Sequence, residues 1–381
     1  MDLTSHLDRL VATLDPRKRG HVGPAIADAV RAVPRDQFIP DLGIIRDDAG
    51  EPRLIDRHAD PDAWYRAVYG GKSIVTQLDD GATPLTELRG DFTSSASEPG
   101  TVADFLHHLA VEDGMRVLEI GTGTGYTAAL LCHLVGAHGS VTSVEVDAGV
   151  AEQAARNLAA VGVRPRLVVG DGAAGVPGRA PYDRVHVTCG IRHVPYAWVE
   201  QCRPGALIVA PWRPGFGIGF CLRLQVQQDR TARGGIVDFA EYMWMRSQRP
   251  ATDEAPPGDE RRQYWTALDP RAFDQLDAGV DLTVSALTGA VTTTGSGSDE
   301  EGDWWRMWLS DPDVPGSWAA VTCRPGSRIA VQQAGERPLW DEVLRAYARW
   351  VDLGEPSWRD FGVTVGPQGT NVWIRSPDNP L

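Results

Sequence analysis

Short apolar runs alternate with helix-length segments through the middle of the chain, and this pattern predicts the fold. Five runs rich in apolar and β-branched residues have the lengths and boundaries of strands. They fall at residues 117–120, 140–147, 166–169, 180–190 and 204–211. Because helical segments separate them, the order βαβαβ predicts an α/β fold with a doubly wound, mostly parallel sheet covered on both faces. Ligands of such sheets bind beyond the carboxyl ends of the strands.

The parts on either side of this region follow different patterns. Three parts are predicted: an N-terminal helical region with an insertion at 1–91, the doubly wound domain at 92–233, and a C-terminal α+β domain at 234–381. Helices are expected near 3–14 and 24–33, ahead of an irregular insertion. The joint between the second and third parts is placed at residues 233–235, because the paired glycines there are typical of a turn.

The C-terminal part holds 10 of the 13 tryptophans. Its predicted strands lie near 319–323, 328–332, 361–365 and 371–375, and its predicted helix spans 338–353. The polar stretch 295–303 is expected to be a mobile loop. The cluster at 304–308, Trp-Trp-Arg-Met-Trp, is open to two interpretations. It is either the core of a small domain or a peptide-binding surface, since tryptophan is favoured where binding energy concentrates.

A glycine-rich turn follows the strand at 117–120 and is the first candidate site. Glycine lets the backbone turn sharply and approach a ligand, and the helix beyond offers free N–H groups. The dinucleotide pattern G-x-G-x-x-G fails, because it would need glycine at Tyr126. The pattern E-x-G-x-G-x-G instead resembles S-adenosylmethionine-dependent methyltransferases of the doubly wound class. The predicted cofactor-binding residues here are Glu119, Gly121, Thr122, Gly123, Thr124, Gly125 and Tyr126.

Two acids at the ends of later strands extend this site. Glu145 lies about 20 residues beyond Gly125, where a carboxylate can accept hydrogen bonds from ribose hydroxyls. Asp171, followed by Gly172, can accept a hydrogen bond from an adenine amino group while the glycine allows a close backbone approach. A solvated acid at a strand end and an ordinary Gly-Asp-Gly turn are the alternative interpretations.

Four blocks resemble the protein-L-isoaspartate O-methyltransferase family. They are 33–40 (Val-Pro-Arg-Asp-Gln-Phe-Ile-Pro), 97–99 (Ser-Glu-Pro), 116–126 and 168–211. The resemblance implies a Rossmann-like class I methyltransferase domain, S-adenosyl-L-methionine as the cofactor, and methyl transfer to a carboxylate. It also implies that Ser97 positions the accepting carboxylate. The alternative for Ser97 is a helix N-cap, because a helical run begins just after it.

Further substrate contacts are predicted around the same cleft. Ser95 belongs to the serine block, and Thr188, Arg192 and His193 follow the fourth strand, so all four are expected to line the peptide site. Cys189 is expected to be a small packing residue, because methyl transfer to a carboxylate needs no thiol nucleophile.

The chain also departs from the family pattern. An extra segment of about fifty residues precedes the serine block, and Pro211-Trp212-Arg213 stands where the family has Pro-Val-Gly. With only two lysines, the composition resembles a longer actinobacterial branch associated with ribosomally synthesised, post-translationally modified peptides. This implies methyl esterification of an aspartate in a cyclised precursor peptide, followed by closure to an aspartimide. The alternatives are repair of isoaspartyl damage, or a non-catalytic cofactor-binding or scaffold protein.

Composition excludes several other classes. The net charge of −14 opposes nucleic-acid binding, which depends on cation-to-phosphate contacts. The five cysteines form no C-x-x-C pair, which favours a reduced, cytoplasmic protein. The nine histidines show no metal-binding spacing, so no metal is predicted. We expect no signal peptide and no membrane partner, because no apolar run approaches spanning length.

Overall fold

A nine-stranded sheet lies at the centre of the computed structural model, which describes residues 3–14, 22–250 and 261–381. In spatial order its strands are β18 (Gly369–Ile374), β17 (Phe361–Gly366), β11 (Ala232–Phe239), β10 (Phe220–Val226), β9 (Cys202–Trp212), β8 (Tyr182–Val187), β5 (Arg116–Ile120), β6 (Ser140–Glu145) and β7 (Arg166–Val169).

The half of this sheet from β9 to β7 is parallel and confirms the predicted doubly wound fold. Its helices are α4 (Pro99–Leu109), α5 (Tyr126–Val135), α6 (Ala148–Ala160) and α7 (Tyr196–Glu200). Val117, Leu118 and Ile120 of β5 are all buried, as expected for a strand covered on both faces. The strand order reverses between β5 and β8, so the chain leaves a crevice at their carboxyl ends.

The other half of the sheet is antiparallel and reaches into the C-terminal part of the chain. β11 pairs with β10 on one side and with β17 on the other. Residues 233–235 therefore lie inside β11, and the joint expected there is wrong. The two glycines suit close strand packing instead, since a Cβ at Gly234 would lie 1.9 Å from the Arg223 carbonyl oxygen. The division of the chain into three parts remains a prediction.

The N-terminal part packs directly onto the central sheet. It contains α1 (Leu3–Thr13), α2 (Pro24–Ala32) and α3 (Pro61–Val68), and an antiparallel sheet in the order β2 (Pro52–Asp56), β1 (Leu42–Arg46), β3 (Ile74–Leu78) and β4 (Phe92–Ala96). The insertion is thus more regular than expected. Phe38 and Trp64 share one buried cluster with Leu130 of α5, so this part and the central domain have a common core.

A separate five-stranded sheet forms most of the C-terminal part. Its order is β12 (Arg262–Thr266), β16 (Ile329–Ala334), β15 (Trp318–Cys323), β14 (Gly302–Ser310) and β13 (Val291–Asp299), and α8 (Gly279–Thr288) and α9 (Leu339–Asp352) accompany it. The predicted α+β character is present. The polar stretch 295–303, however, is a β13–β14 hairpin and not the expected loop. Gly295 and Gly297 lie under the rings of Trp308 and Trp304, where a Cβ would be 3.2 and 2.8 Å from ring atoms.

The tryptophan cluster of β14 divides between the two faces of its strand. Met307 is buried in the core that contains Trp340 of α9, which fits the packing interpretation. Trp304 and Trp308 form an edge-to-face pair, and the Arg306 guanidinium lies 5.1 and 5.4 Å from their ring centres. Among the helices in the described ranges, none is both long and apolar enough to cross a membrane.

Candidate active site

A cavity of about 710 Å³ opens at the carboxyl ends of β5, β6 and β8, at the point where the strand order reverses. Its floor is the glycine-rich turn at 121–124. One wall comes from β1, β3 and β4 of the N-terminal sheet, and another from residues 241–249, which follow β11. The cavity is therefore built by three distant stretches of the chain. The sequence predicted the glycine turn and, from the second stretch, Ser95 and Ser97, but nothing from residues 241–249.

The glycine turn has the backbone shape that its residues permit. Gly121, Gly123 and Gly125 have φ values of +94°, +54° and +89°, a backbone region that residues with a Cβ rarely adopt. A Cβ at Gly121 would lie 2.4 Å from the Thr188 hydroxyl oxygen, so packing alone requires glycine there. A Cβ at Gly123 would meet only the Ser95 carbonyl at 3.5 Å. The space beside Gly123 is thus free for a ligand.

Glu119 lies beneath this turn and does not line the cavity. It is fully buried, and its carboxyl accepts a hydrogen bond of 2.5 Å from the Ser143 hydroxyl. The Ser143 and Thr122 hydroxyls are 2.6 Å apart, which links Glu119 to the turn. Burial raises the Glu119 pKa to about 8, and the nearby Glu145 charge acts in the same direction. Glu119 therefore supports the turn from below instead of contacting the cofactor as predicted.

Glu145 ends β6 and faces the cavity as predicted. Its Oε2 accepts a hydrogen bond from the Gly123 N–H at 2.9 Å, and its Oε1 accepts one from the Asp147 N–H at 3.1 Å. A carboxylate offers about four acceptor positions, so both oxygens can still accept from a ligand hydroxyl. The backbone bonds fix the orientation of the carboxylate before any ligand arrives.

Asp171 and Gly172 border the same cavity beyond β7. The Asp171 Oδ1 accepts hydrogen bonds from the Ala173 N–H at 2.9 Å and from the Ser247 hydroxyl at 3.1 Å. Gly172 is packed on Ile120, since a Cβ there would lie 2.5 Å from the Ile120 Cγ2. Asp171 is thus both a turn residue and a cavity residue, so the turn interpretation and the ligand-binding interpretation are compatible.

Ser97 lies in the cavity wall between β4 and α4. The N-cap of α4 is Glu98, so the N-cap alternative for Ser97 is wrong. The Ser97 side chain hydrogen-bonds the Tyr242 hydroxyl, and burial raises the Tyr242 pKa above its usual range. Tyr242 comes from beyond β11 and carried no signal in the sequence.

The backbone at Ser97 is held by Arg35, a residue of the first family block. Arg35 is fully buried, and its Nη2 donates to the carbonyl oxygens of Ser97 at 2.9 Å, Lys72 at 3.1 Å and Ala96 at 3.3 Å. Burial lowers its pKa to about 10. Charge-assisted bonds of this kind are strong when desolvated. Arg35 therefore fixes the position of Ser97 from behind.

The remaining predicted substrate residues divide into two groups. Ser95 and Thr188 line the cavity, but the Thr188 hydroxyl is directed at the backbone carbonyls of Ile120 and Gly121, at 3.0 and 2.5 Å. Arg192 and His193 do not line it. Arg192 pairs with Asp313 at 2.9 Å and so contacts the C-terminal part.

Two arginines close one side of the cavity. Arg246 and Arg249 both contact Asp80, the first at 2.9 Å and the second at 3.0 Å and 3.1 Å. Arg246 also lies 3.4 Å from Asp147, at the start of α6. We call this set the Asp80 clasp. It joins the N-terminal sheet to the segment after β11.

Cys189 lines the cavity. Burial raises the pKa of the Cys189 thiol far above its usual range, as expected for a packing residue. Within the described part of the chain, no group of three or more His, Cys, Asp or Glu side chains could hold a metal ion.

A doubly wound sheet with a glycine turn and a strand-end acid at its switch point has the Rossmann-like fold of class I methyltransferases. A solved structure named protein-L-isoaspartate O-methyltransferase shares this fold with a TM-score of 0.57 and 22% identity, over 97% of this chain and 100% of its own. The likeness includes the N-terminal and C-terminal parts.

The family follows from the sequences of relatives. A family model described as protein-L-isoaspartate(D-aspartate) O-methyltransferase matches residues 76–229. A protein-L-isoaspartate O-methyltransferase of Azorhizobium caulinodans is 32% identical over 240 residues, 63% of this chain and 90% of the relative. The chain belongs to the protein-L-isoaspartate O-methyltransferase family.

Two further relatives match over shorter stretches. Protein-L-isoaspartate O-methyltransferase of Thermotoga maritima is 42% identical over 32% of this chain and 39% of its own length. Protein-L-isoaspartate O-methyltransferase 1 of Archaeoglobus fulgidus is 42% identical over 33% of this chain and 59% of its own. This chain thus matches about two-fifths to three-fifths of these two proteins.

Proposed function

We propose that this chain is an S-adenosyl-L-methionine-dependent carboxyl O-methyltransferase. The observation that carries the proposal is the cavity in which the glycine turn, Glu145 and Ser97 meet. The residues present fit the cofactor: Glu145 would accept from its ribose hydroxyls, Asp171 from its adenine amino group, and Gly123 leaves room for its close approach.

The chemistry makes modest demands on the protein. The bound cofactor supplies a methyl group on a positively charged sulfur. A side-chain carboxylate, with a reference pKa of about 3.9, is already ionised at neutral pH, so no general base is needed. The protein has to hold the carboxylate oxygen about 3 Å from the methyl carbon and in line with the bond that breaks. In this proposal Ser97, held by Arg35 and Tyr242, orients that carboxylate.

The substrate class proposed first is a protein or peptide with an L-isoaspartyl residue. The names of the relatives support it, together with the family membership of the chain. The test is transfer of a labelled methyl group to a short linear isoaspartyl peptide, with the matched aspartyl peptide as the control. Labelling of the isoaspartyl peptide alone is the expected result. No labelling of either peptide, with the cofactor bound, would contradict this substrate.

The finer proposal is that the substrate is an ordinary aspartate in a cyclised precursor peptide, with an aspartimide as the product. Its support is the departure from the family pattern at Pro211-Trp212-Arg213, where Arg213 lines the cavity. The size of the C-terminal part does not support it, because the solved structure named above matches 97% of this chain.

Mass spectrometry distinguishes the two substrates. On a cyclised precursor, the finer proposal predicts a transient gain of one methylene group and then a net loss of one water. The linear precursor should react poorly, because a cyclic peptide has less conformational freedom to lose on binding. Efficient methylation of linear isoaspartyl peptides with no reaction on the cyclised precursor would favour repair.

A further inference from the structure

Arg213 follows β9 and stands at the carboxyl end of that strand, in the cavity wall. Its Nη1 donates to the Tyr242 carbonyl at 2.9 Å, and its guanidinium lies 4.3 Å from the ring centre of Trp244. Tyr242 is also the residue whose hydroxyl bonds Ser97. Arg213 and Ser97 therefore contact the same residue, Arg213 at its backbone carbonyl and Ser97 at its hydroxyl, and both line the cavity.

The other arginines of the cavity wall are engaged elsewhere. Arg246 and Arg249 belong to the Asp80 clasp. Arg46 is exposed, donates to the Gly50 carbonyl at 2.7 Å and lies over the Phe92 ring. Of the four arginines that the described residues contribute to the cavity wall, Arg213 is the one whose backbone-carbonyl partner, Tyr242, also hydrogen-bonds Ser97.

Arg213 is held in place, and its one carboxylate partner among the described residues, Glu241, forms a long and partly exposed ion pair with it. Its side chain is 27% exposed, and the carboxylate that the structure places near it, Glu241, is 3.7 Å away. That distance is beyond a direct hydrogen bond. Glu241 is itself 62% exposed and accepts a hydrogen bond from the Gly219 N–H at 2.7 Å. A guanidinium has five N–H donors in a planar fork that matches a carboxylate, so Arg213 retains the capacity to bind one.

We propose that Arg213 binds the accepting carboxylate of the substrate, together with Ser97. This inference rests on the proposed function and adds a specificity residue to it. One carboxylate oxygen pairs with the Arg213 guanidinium. The other oxygen forms the bond to the methyl carbon. The carbon–sulfur bond breaks, its electron pair stays on sulfur, and no proton moves.

The substrate group that pairs with Arg213 changes its charge during the reaction. The carboxylate is negative before transfer, and the ester is neutral after it. A charge-assisted bond to Arg213 is therefore lost in the product, and such bonds contribute more to binding than neutral ones. The wild-type protein should bind an acid peptide more tightly than its methyl ester.

The experiment compares Arg213→Gln and Arg213→Lys with the wild type. Arg233→Gln serves as the matched control, because it removes the same charge from an exposed side chain of β11 that pairs with Asp229. Three quantities are measured: cofactor affinity by calorimetry, KM and kcat for an isoaspartyl peptide, and affinity for the acid peptide and its ester with S-adenosylhomocysteine present.

Arg213→Gln should raise KM and abolish the preference for acid over ester, each by about tenfold or more, with cofactor affinity near wild type. Arg213→Lys should recover part of the preference, since it keeps the charge but not the planar fork. A purely structural role would lower stability without changing the preference. If Arg213→Gln fails to fold, Arg213→Lys decides the matter: an unchanged acid preference and KM in that variant would overturn the proposal.

The proposed function can fail separately. If the wild type methylates no carboxylate but still prefers the acid peptide over its ester, the methyltransferase proposal fails and the role of Arg213 in carboxylate binding stands. If it methylates well and Arg213→Gln shows wild-type KM and preference, the inference about Arg213 is wrong.

Discussion

Ser97 lies one residue before the N-cap of α4, and its hydroxyl hydrogen-bonds Tyr242. Ser97→Ala should therefore cost only about 1 kcal/mol of stability, the usual net value of one hydrogen bond. The methyl-transfer rate should fall by about a hundredfold, because small misplacements of the acceptor are costly. Rates per folded molecule and thermal unfolding check this, with Ser97→Thr as the variant that restores the hydroxyl. A wild-type rate in Ser97→Ala would show that the hydroxyl does not position the substrate.

Gly123 requires a positive φ, yet the protein leaves space beside it. Gly123→Ala should lose about 1–2 kcal/mol of stability from backbone strain and should also lose cofactor affinity. Gly114→Ala is the matched control, since Gly114 has φ +80° and open space around it, away from the cavity. Gly114→Ala should lose stability from backbone strain and should keep its cofactor affinity. Calorimetry with S-adenosylhomocysteine checks the difference, and equal affinities in both variants would contradict a cofactor role for the turn.

Glu119 makes stability depend on pH. Its pKa is raised by burial from 4.5 to about 8, so between these values the folded state binds more protons than the unfolded state. The free energy of unfolding should then fall as pH rises from 4.5 to 8, by at most about 5 kcal/mol at one 1.36 kcal/mol step per pKa unit. Glu119→Gln should remove this slope in denaturant titrations at several pH values. The exposed Glu112→Gln should leave the slope unchanged.

Residues close in sequence were predicted well, and residues brought in from afar were not. The turn and Glu145 form a local pattern of one strand, one helix and the next strand, which the sequence states directly. Arg35, Tyr242 and Arg213 reach Ser97 or its neighbour only through tertiary folding, so their chemistry has no local pattern. Arg35 and Arg213 gave partial signals, since Arg35 belongs to the first family block and Arg213 marks a departure from the family motif, whereas Tyr242 gave none.

At the scale of elements, the Asp80 clasp controls one side of the cavity. The side chains of Arg246, Arg249 and Asp80 are about one-third exposed, so each ion pair contributes little to stability. Asp80→Asn should speed release of S-adenosylhomocysteine about threefold, and high salt should speed release from the wild type in the same way. Stopped-flow fluorescence can follow both. Asp299→Asn, which breaks a similar pairing with Arg324 on the β13–β14 hairpin, should change neither rate.

The β13–β14 hairpin shows why some elements escape prediction. Serine, threonine and glycine at 291–299 have the composition of a loop, and no apolar alternation marks a strand. The strand forms because glycines on β13 accommodate the tryptophan rings of β14. The glycines at 234–235 led to the wrong prediction of a joint for a similar reason, since tight strand packing and a flexible joint both favour glycine.

At the scale of the whole molecule, the central sheet needs the end of the described chain. β17 covers the edge of β11, and its residues Phe361, Val363 and Val365 are buried. Removing residues 361–381 should therefore expose an apolar strand edge and give an aggregating protein. Removing only 375–381, which keeps β17 and β18, should do far less harm. Soluble yield and thermal unfolding compare them, and a stable, cofactor-binding protein without 361–381 would contradict this view.

The pairing of β11 with β17 also predicts an order of events in folding. Ala232 lies opposite Val365, about 130 residues further along the chain, and the five-stranded sheet and its helices occupy the interval. Closing so long an unfolded loop is slow, because many chain arrangements are lost before any contact forms. If the five-stranded sheet folds first, the same ends are held near each other. We therefore expect that sheet to gain hydrogen-exchange protection before β11 and β17 do.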